Sequence, residues 1–100
     1  MAKSYYRTMV DDTEMGKLFH EVYAQGEKTS VLGPKVYQLV FIAFLASHGI
    51  VQGVRKHTKD AKKHGATKEE IQAVFQAGLT VGGAALAECY AVAMESYDEP

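Results

Sequence analysis

The sequence predicts an all-α domain, and three observations carry that prediction. Apolar residues recur at helical spacings of three and four wherever a pattern is clear, and no segment alternates apolar with polar residues for long enough to argue a strand. The residues that favour helix ends fall where the patterns begin and stop: Pro34 at a first helical position, Gly65 after a last periodic residue, and Thr67 with Glu70 at capping-box spacing. Third, 100 residues at 47% hydrophobic content and net charge -1 suit a single compact domain, residues 1–100, rather than a disordered tail or two domains.

Residues 1–10 read as a flexible lead. In "DDTEMGKLFHEVYAQG", Met15, Leu18, Phe19, Val22 and Tyr23 form one apolar stripe, with Asp11 and Glu14 as a capping-box variant at its start and Gly26 at its end. Residues 27–33 read as a linker. Pro34 opens a helix whose run "VYQLVFIAFLA" is apolar nearly all round and is therefore expected to be central. His48 and Gly49 break the chain, and residues 50–64 form a third helix closed by Gly65. Thr67 and Glu70 start a fourth, with Ile71, Val74, Phe75, Gly78 and Leu79 on its apolar side. After the glycine pair, the alanine-rich "AALAECYAVAME" makes the last of about five helices, and its small side chains permit close helix approach.

Several function classes are disfavoured by composition. Eleven basic and twelve acidic residues are interspersed, which predicts no nucleic-acid partner and no attraction to an anionic membrane surface. The run at residues 36–46 is too short for a membrane span, which requires roughly 20 residues, and "MAKSYYR" lacks the apolar core of a secretory signal. Cys89 stands alone, which excludes an intrachain disulfide and suits a cytoplasmic location. His20, His48 and His64 show no metal-ligand spacing, so no metal is expected.

The informative stretch is "SHGIVQGVRKHTKDAKKHGATKEEI". At ~3.6 residues per turn, Gly53, Val54, His57 and Ala61 share one side of their helix, so His57 faces inward. Ile50, Gly53 and His57 form a row on that side. The surrounding lysines read as a solvated face, with Lys62 and Lys63 near the negative end of the helix dipole. A lone histidine on an apolar stripe is also what a satisfied core residue looks like.

From the buried helix through this stretch to "GGAALAECYAVAM", about residues 37–94, the sequence resembles the carboxymuconolactone decarboxylase family, which also contains the alkyl hydroperoxidase D proteins. The ordered set Ala61, Gly65 to Thr67 and Glu69 to Ile71, behind a histidine, carries the resemblance. The peroxidase branch pairs a glutamate with C-x-x-C-x-x-x-H. Laid on this sequence, the histidine falls on His57, the cysteines on Ile50 and Gly53, and the glutamate on Gln38. Isoleucine and glycine supply no thiolate, so thiol peroxidation is not expected. The decarboxylase branch, which removes carbon dioxide from a small lactone acid, also lacks the cysteines and keeps a histidine here. The resemblance therefore implies a cofactor-free small-molecule enzyme acting on a small acid or lactone. His57 would be its general acid or base, and Gln38, Gly53, Ile50 and Tyr37 would line the site, with Tyr90 a further hydrogen-bonding candidate. It also implies an alkyl hydroperoxidase D-like helical fold and a homo-oligomer, a trimer or hexamer, which agrees with the apolar surface that so small a domain leaves uncovered. A non-catalytic member that keeps only the scaffold is the competing expectation.

Overall fold

The computed structural model describes residues 5–100. The first four residues of the expected flexible lead lie outside the described residues. The described chain is all-α: α1 (Tyr5–Asp12), α2 (Glu14–Thr29), α3 (Gly33–Ser47), α4 (Val51–Lys63), α5 (Lys68–Gly82), a 3-10 turn (Gly83–Leu86) and α6 (Ala87–Asp98). It divides into two compact units, Met1–Val31 and Leu32–Pro100, each described by itself.

In the first unit, residues 5–10 belong to α1 instead of a flexible lead. Because Asp11 then sits in the last turn of α1, the start of α2 falls to Thr13 and not to the expected Asp11–Glu14 box. Thr13 is extended, and its Oγ1 accepts a hydrogen bond from the Gly16 N–H at 2.8 Å. Gly16 is where the two helices meet: a Cβ there would overlap the Met9 carbonyl oxygen and come within 2.9 Å of Val10 Cα. Gly26 does not end α2, which continues to Thr29 and is capped by extended Ser30, so the linker shrinks to the few residues before Gly33. The apolar stripe is present but open, with Met15, Leu18, Phe19 and Val22 all exposed.

The second unit is built from α3 to α6. Its core joins Ile42 and Ala46 of α3, Val54 and Ala61 of α4, Ala66, Ile71 and Phe75 of α5 and its approach, and Leu86, Cys89 and Ala93 beyond. Each large apolar side chain enclosed here contributes roughly 1.5–3 kcal/mol. Pro34 occupies the first turn of α3, as its missing N–H predicts. Yet α3 is not enclosed all round: Gln38, Ile42 and Ala46 are its buried residues, whereas Phe44 is 66% exposed. One stripe of spacing four is buried, Leu39 and Leu45 flank it partly buried against the core, and Val36, Val40 and Phe44 are left exposed.

Gly65 closes α4 with φ +94, letting the Ala66 N–H return to the Ala61 carbonyl at 2.9 Å. The capping box at Thr67 and Glu70 forms in both directions. By length and composition the run Lys68–Asp98, unlike residues 36–46, is long and apolar enough to cross a membrane, with a mean hydropathy of 1.4 over its most apolar window. It does not form one rod. Phe75 and Tyr90 would stand roughly 22 Å apart along a continuous helix, but their ring centroids are 5.4 Å apart. The reversal is placed at Gly83, whose φ is +52, and Leu86 folds back onto Gly78 and Gly82, where added Cβ atoms would crowd it at 3.0 and 2.8 Å.

Lys62 and Lys63 stand in the last turn of α4, as expected, and the basic run serves a second helix end as well. Lys62 Nζ donates to the Tyr97 carbonyl at 2.7 Å and Lys59 Nζ to the Ser96 carbonyl at 3.4 Å, so these cations meet the C-terminal carbonyls of α6. Arg55 forms ion pairs with Glu95 and Glu99, both at 2.9 Å, and Ser96 Oγ donates to the Arg55 carbonyl at 2.6 Å.

Candidate functional site

The turn between α3 and α4 sets which side chains meet. His48 ends α3, Gly49 takes φ +68, and the Ile50 N–H returns to the Leu45 carbonyl at 3.0 Å. Gln38 lies nine residues before Ser47 and His57 nine after His48, so an antiparallel hairpin brings the two to the same level. Both positions face inward. Gln38 is fully buried and His57 is 8% exposed.

Their side chains bond: His57 Nδ1 and Gln38 Oε1 are 2.7 Å apart. With the amide oxygen assigned toward the ring, Oε1 is an acceptor only, so Nδ1 carries the hydrogen and the lone pair of the neutral ring is on Nε2. Phe41, one turn beyond Gln38, tilts across the imidazole at 39° with a centroid separation of 4.4 Å. Tyr37 stacks on Phe41 at 6.1 Å, which places it one ring away from the histidine. From α4 itself, Asp60 Oδ2 lies 3.8 Å from His57 Nδ1 and 2.8 Å from Lys56 Nζ.

Of the expected site residues, the structure thus joins Gln38 with His57 and reaches Tyr37 through Phe41. Gly53 and Ile50 stand differently. A Cβ on Gly53 would meet Leu45 Cδ2 at 3.0 Å and Ile50 Cγ2 at 3.2 Å, so the missing side chain admits Leu45 rather than leaving space beside the imidazole. Ile50 is half-exposed at the N-cap of α4. Tyr90 belongs elsewhere. It accepts from Gln72 Nε2 at 3.2 Å and lines a recess of about 350 Å³ together with Phe75, Leu79 and Leu86, between α5 and α6.

Phe41 and Asp60 were not picked out from the sequence. Each lies three residues along its helix from a residue that was, Phe41 from Gln38 and Asp60 from His57, and that spacing puts them on the same face. Thr58, beside His57, is fully buried, and among the described residues nothing hydrogen-bonds its Oγ1. The lone thiol, Cys89, is enclosed in the core. Burial, and secondarily Glu88, pushes its pKa up, which disfavours the thiolate. Among the described residues no group of three or more His, Cys, Asp or Glu is placed to hold a metal ion.

A family model described as the carboxymuconolactone decarboxylase family matches residues 14–95. No curated protein and no solved structure matches the chain.

Proposed function

Because the chain belongs to the carboxymuconolactone decarboxylase family, we propose that it is a cofactor-free enzyme of small carboxylate or lactone compounds, with His57 as its general acid–base. The observation that carries this reading is the buried 2.7 Å bond between His57 Nδ1 and Gln38 Oε1. An amide acceptor fixes the ring's tautomer and orientation without taking its proton. The basic lone pair is thereby held at Nε2, where it can take and return a proton. Phe41 against the ring keeps the imidazole in place and limits water around it.

In a decarboxylation, the carbon–carbon bond to the carboxylate breaks and its electron pair stays on the substrate carbon. The imidazolium of His57 delivers a proton to that carbon, a carbon–hydrogen bond forms, and the neutral ring is restored. With a lactone or other carbonyl compound the neutral ring acts first as base and then as acid. Tyr37, stacked beyond Phe41, supplies a hydroxyl for positioning the substrate. Thiol peroxidation is disfavoured by Ile50 and Gly53 and by the enclosed Cys89.

A second reading, an assembling member without catalysis, draws support from the uncovered apolar side chains Phe44, Val40 and Leu79. A thermal-shift screen of small organic acids and lactones on the wild type and on His57→Gln separates the two. The enzyme reading expects ligand stabilisation that strengthens as pH falls, until the acid itself protonates, and that His57→Gln abolishes. Stabilisation indifferent to that substitution leaves the scaffold reading in its place.

A further inference from the structure

We infer that Asp60 is a positioning residue for His57, supplying from the next turn of α4 the negative charge that the neutral amide of Gln38 does not. The inference rests on His57 being the acid–base group of the site. Gln38 accepts from Nδ1–H whether the ring is neutral or protonated, so it orients the imidazole while discriminating little between the two states. Asp60 discriminates. Its Oδ2 is 3.8 Å from Nδ1, and the side chains of His57 and Asp60 are 10% and 24% exposed, so solvent screens their attraction less than that of an open surface pair.

Other charged groups along α4 take part in ion pairs of their own or act through Asp60. Lys56 Nζ holds the same Oδ2 at 2.8 Å and so competes with the imidazolium for it. From α3, Gln38 and Phe41 contact the ring, with the titratable Tyr37 beyond Phe41. From α6 and its C-cap Glu99, Glu95 and Glu99 engage Arg55, Glu99 also engages Lys59, and Asp98 engages Lys68. Asp60 therefore favours the protonated ring, and Lys56 sets how much of its charge the ring feels. The catalytic proton enters and leaves at Nε2.

The test is an NMR titration of the His57 ring signals, assigned by their loss in His57→Gln, on the substrate-free protein. Opposite charge nearby raises a histidine's proton affinity, so Asp60→Asn is expected to lower the midpoint by about one pH unit, a roughly tenfold loss of affinity. Asp60→Glu is expected to recover most of that shift, and Lys56→Gln to move the midpoint upward. A residue that serves packing alone moves neither. An Asp60→Asn midpoint within about 0.2 unit of the wild type, in a protein whose circular dichroism is unchanged, overturns the assignment. Since no substrate is present, that result leaves the role of His57 untouched. Conversely, the full set of shifts alongside ligand binding indifferent to His57→Gln upholds the Asp60–His57 coupling and removes the acid–base reading.

Discussion

Gln38 and His57 are the bonded polar pair buried between α3 and α4, and their bond constrains what either can become. Replacing Gln38 by leucine leaves a buried ring N–H without its acceptor, so Gln38→Leu is expected to destabilise the protein by about 1–3 kcal/mol in chemical denaturation. Thr58 presents the opposite case, since its buried hydroxyl makes no hydrogen bond among the described residues. Thr58→Val keeps the shape and removes the unsatisfied oxygen, and is expected to leave stability unchanged or raise it by up to about 1 kcal/mol. A marked loss would mean that the hydroxyl has a partner in solution. Position 50 and position 53 carry no thiol, and Cys89 is enclosed. Steady reduction of organic hydroperoxides by a dithiol reductant is therefore not expected, and turnover that survives Cys89→Ser would contradict it.

At the scale of elements, close approach and capping decide the outcome. The α1–α2 contact needs a bare backbone at residue 16, because a Cβ there strikes the main chain of Met9 and Val10, which cannot swing aside as a side chain can. Gly16→Ala is expected to separate the two helices at a cost of about 1–3 kcal/mol, read as early loss of protection from hydrogen exchange in residues 5–29. At the start of α5, Glu70 accepts from the Thr67 N–H at 2.9 Å and from Lys35 Nζ at 2.9 Å, which ties α3 to α5. The Thr67 backbone bond first, and Lys35 second, hold the Glu70 carboxyl below its ordinary pKa. The folded value is the lower one, so this stabilisation is fully present above the unfolded value near ~4.3 and fades as pH falls through the folded value. Glu70→Gln should accordingly flatten the fall in melting temperature between about pH 5 and pH 3. A variant that melts with the wild type's acid slope would show that other carboxylates set it.

Across the whole molecule, apolar surface exceeds what the described chain covers. Leu18, Phe19 and Val22 on α2, Phe44 on α3, and Leu79 and Val81 on α5 are all more than half exposed, at 54%, 57%, 72%, 66%, 61% and 90%. Single exposed apolar residues are ordinary, but open stripes on several helices call for a partner surface. We propose that copies of the chain supply it. Light scattering at micromolar concentration should report an assembly larger than a monomer, and Phe44→Glu should weaken it. A monomeric wild type removes the proposal.

Much of this architecture was legible from residue order alone, because helix periodicity, proline, glycine and capping chemistry act within a few residues. The capping box at Thr67, the closure at Gly65, the entry at Pro34 and the inward face of His57 all follow from contacts no more than one turn long. Family membership was legible in the same stretch. Where two local solutions competed, neighbours chose: α1 absorbed Asp11, so Thr13 became the cap, and α2 ran on through Gly26 because nothing required that residue to turn. Tertiary structure alone decided that Gln38 meets His57 across the α3–α4 turn, that Leu45 fills the place beside Gly53, and that Lys59 and Lys62 serve the end of α6. Those contacts join residues from 8 positions (Leu45 and Gly53) to about 37 positions apart in the chain. Spacing along one helix specifies which face a side chain occupies, but the packing of a second helix determines what that face meets.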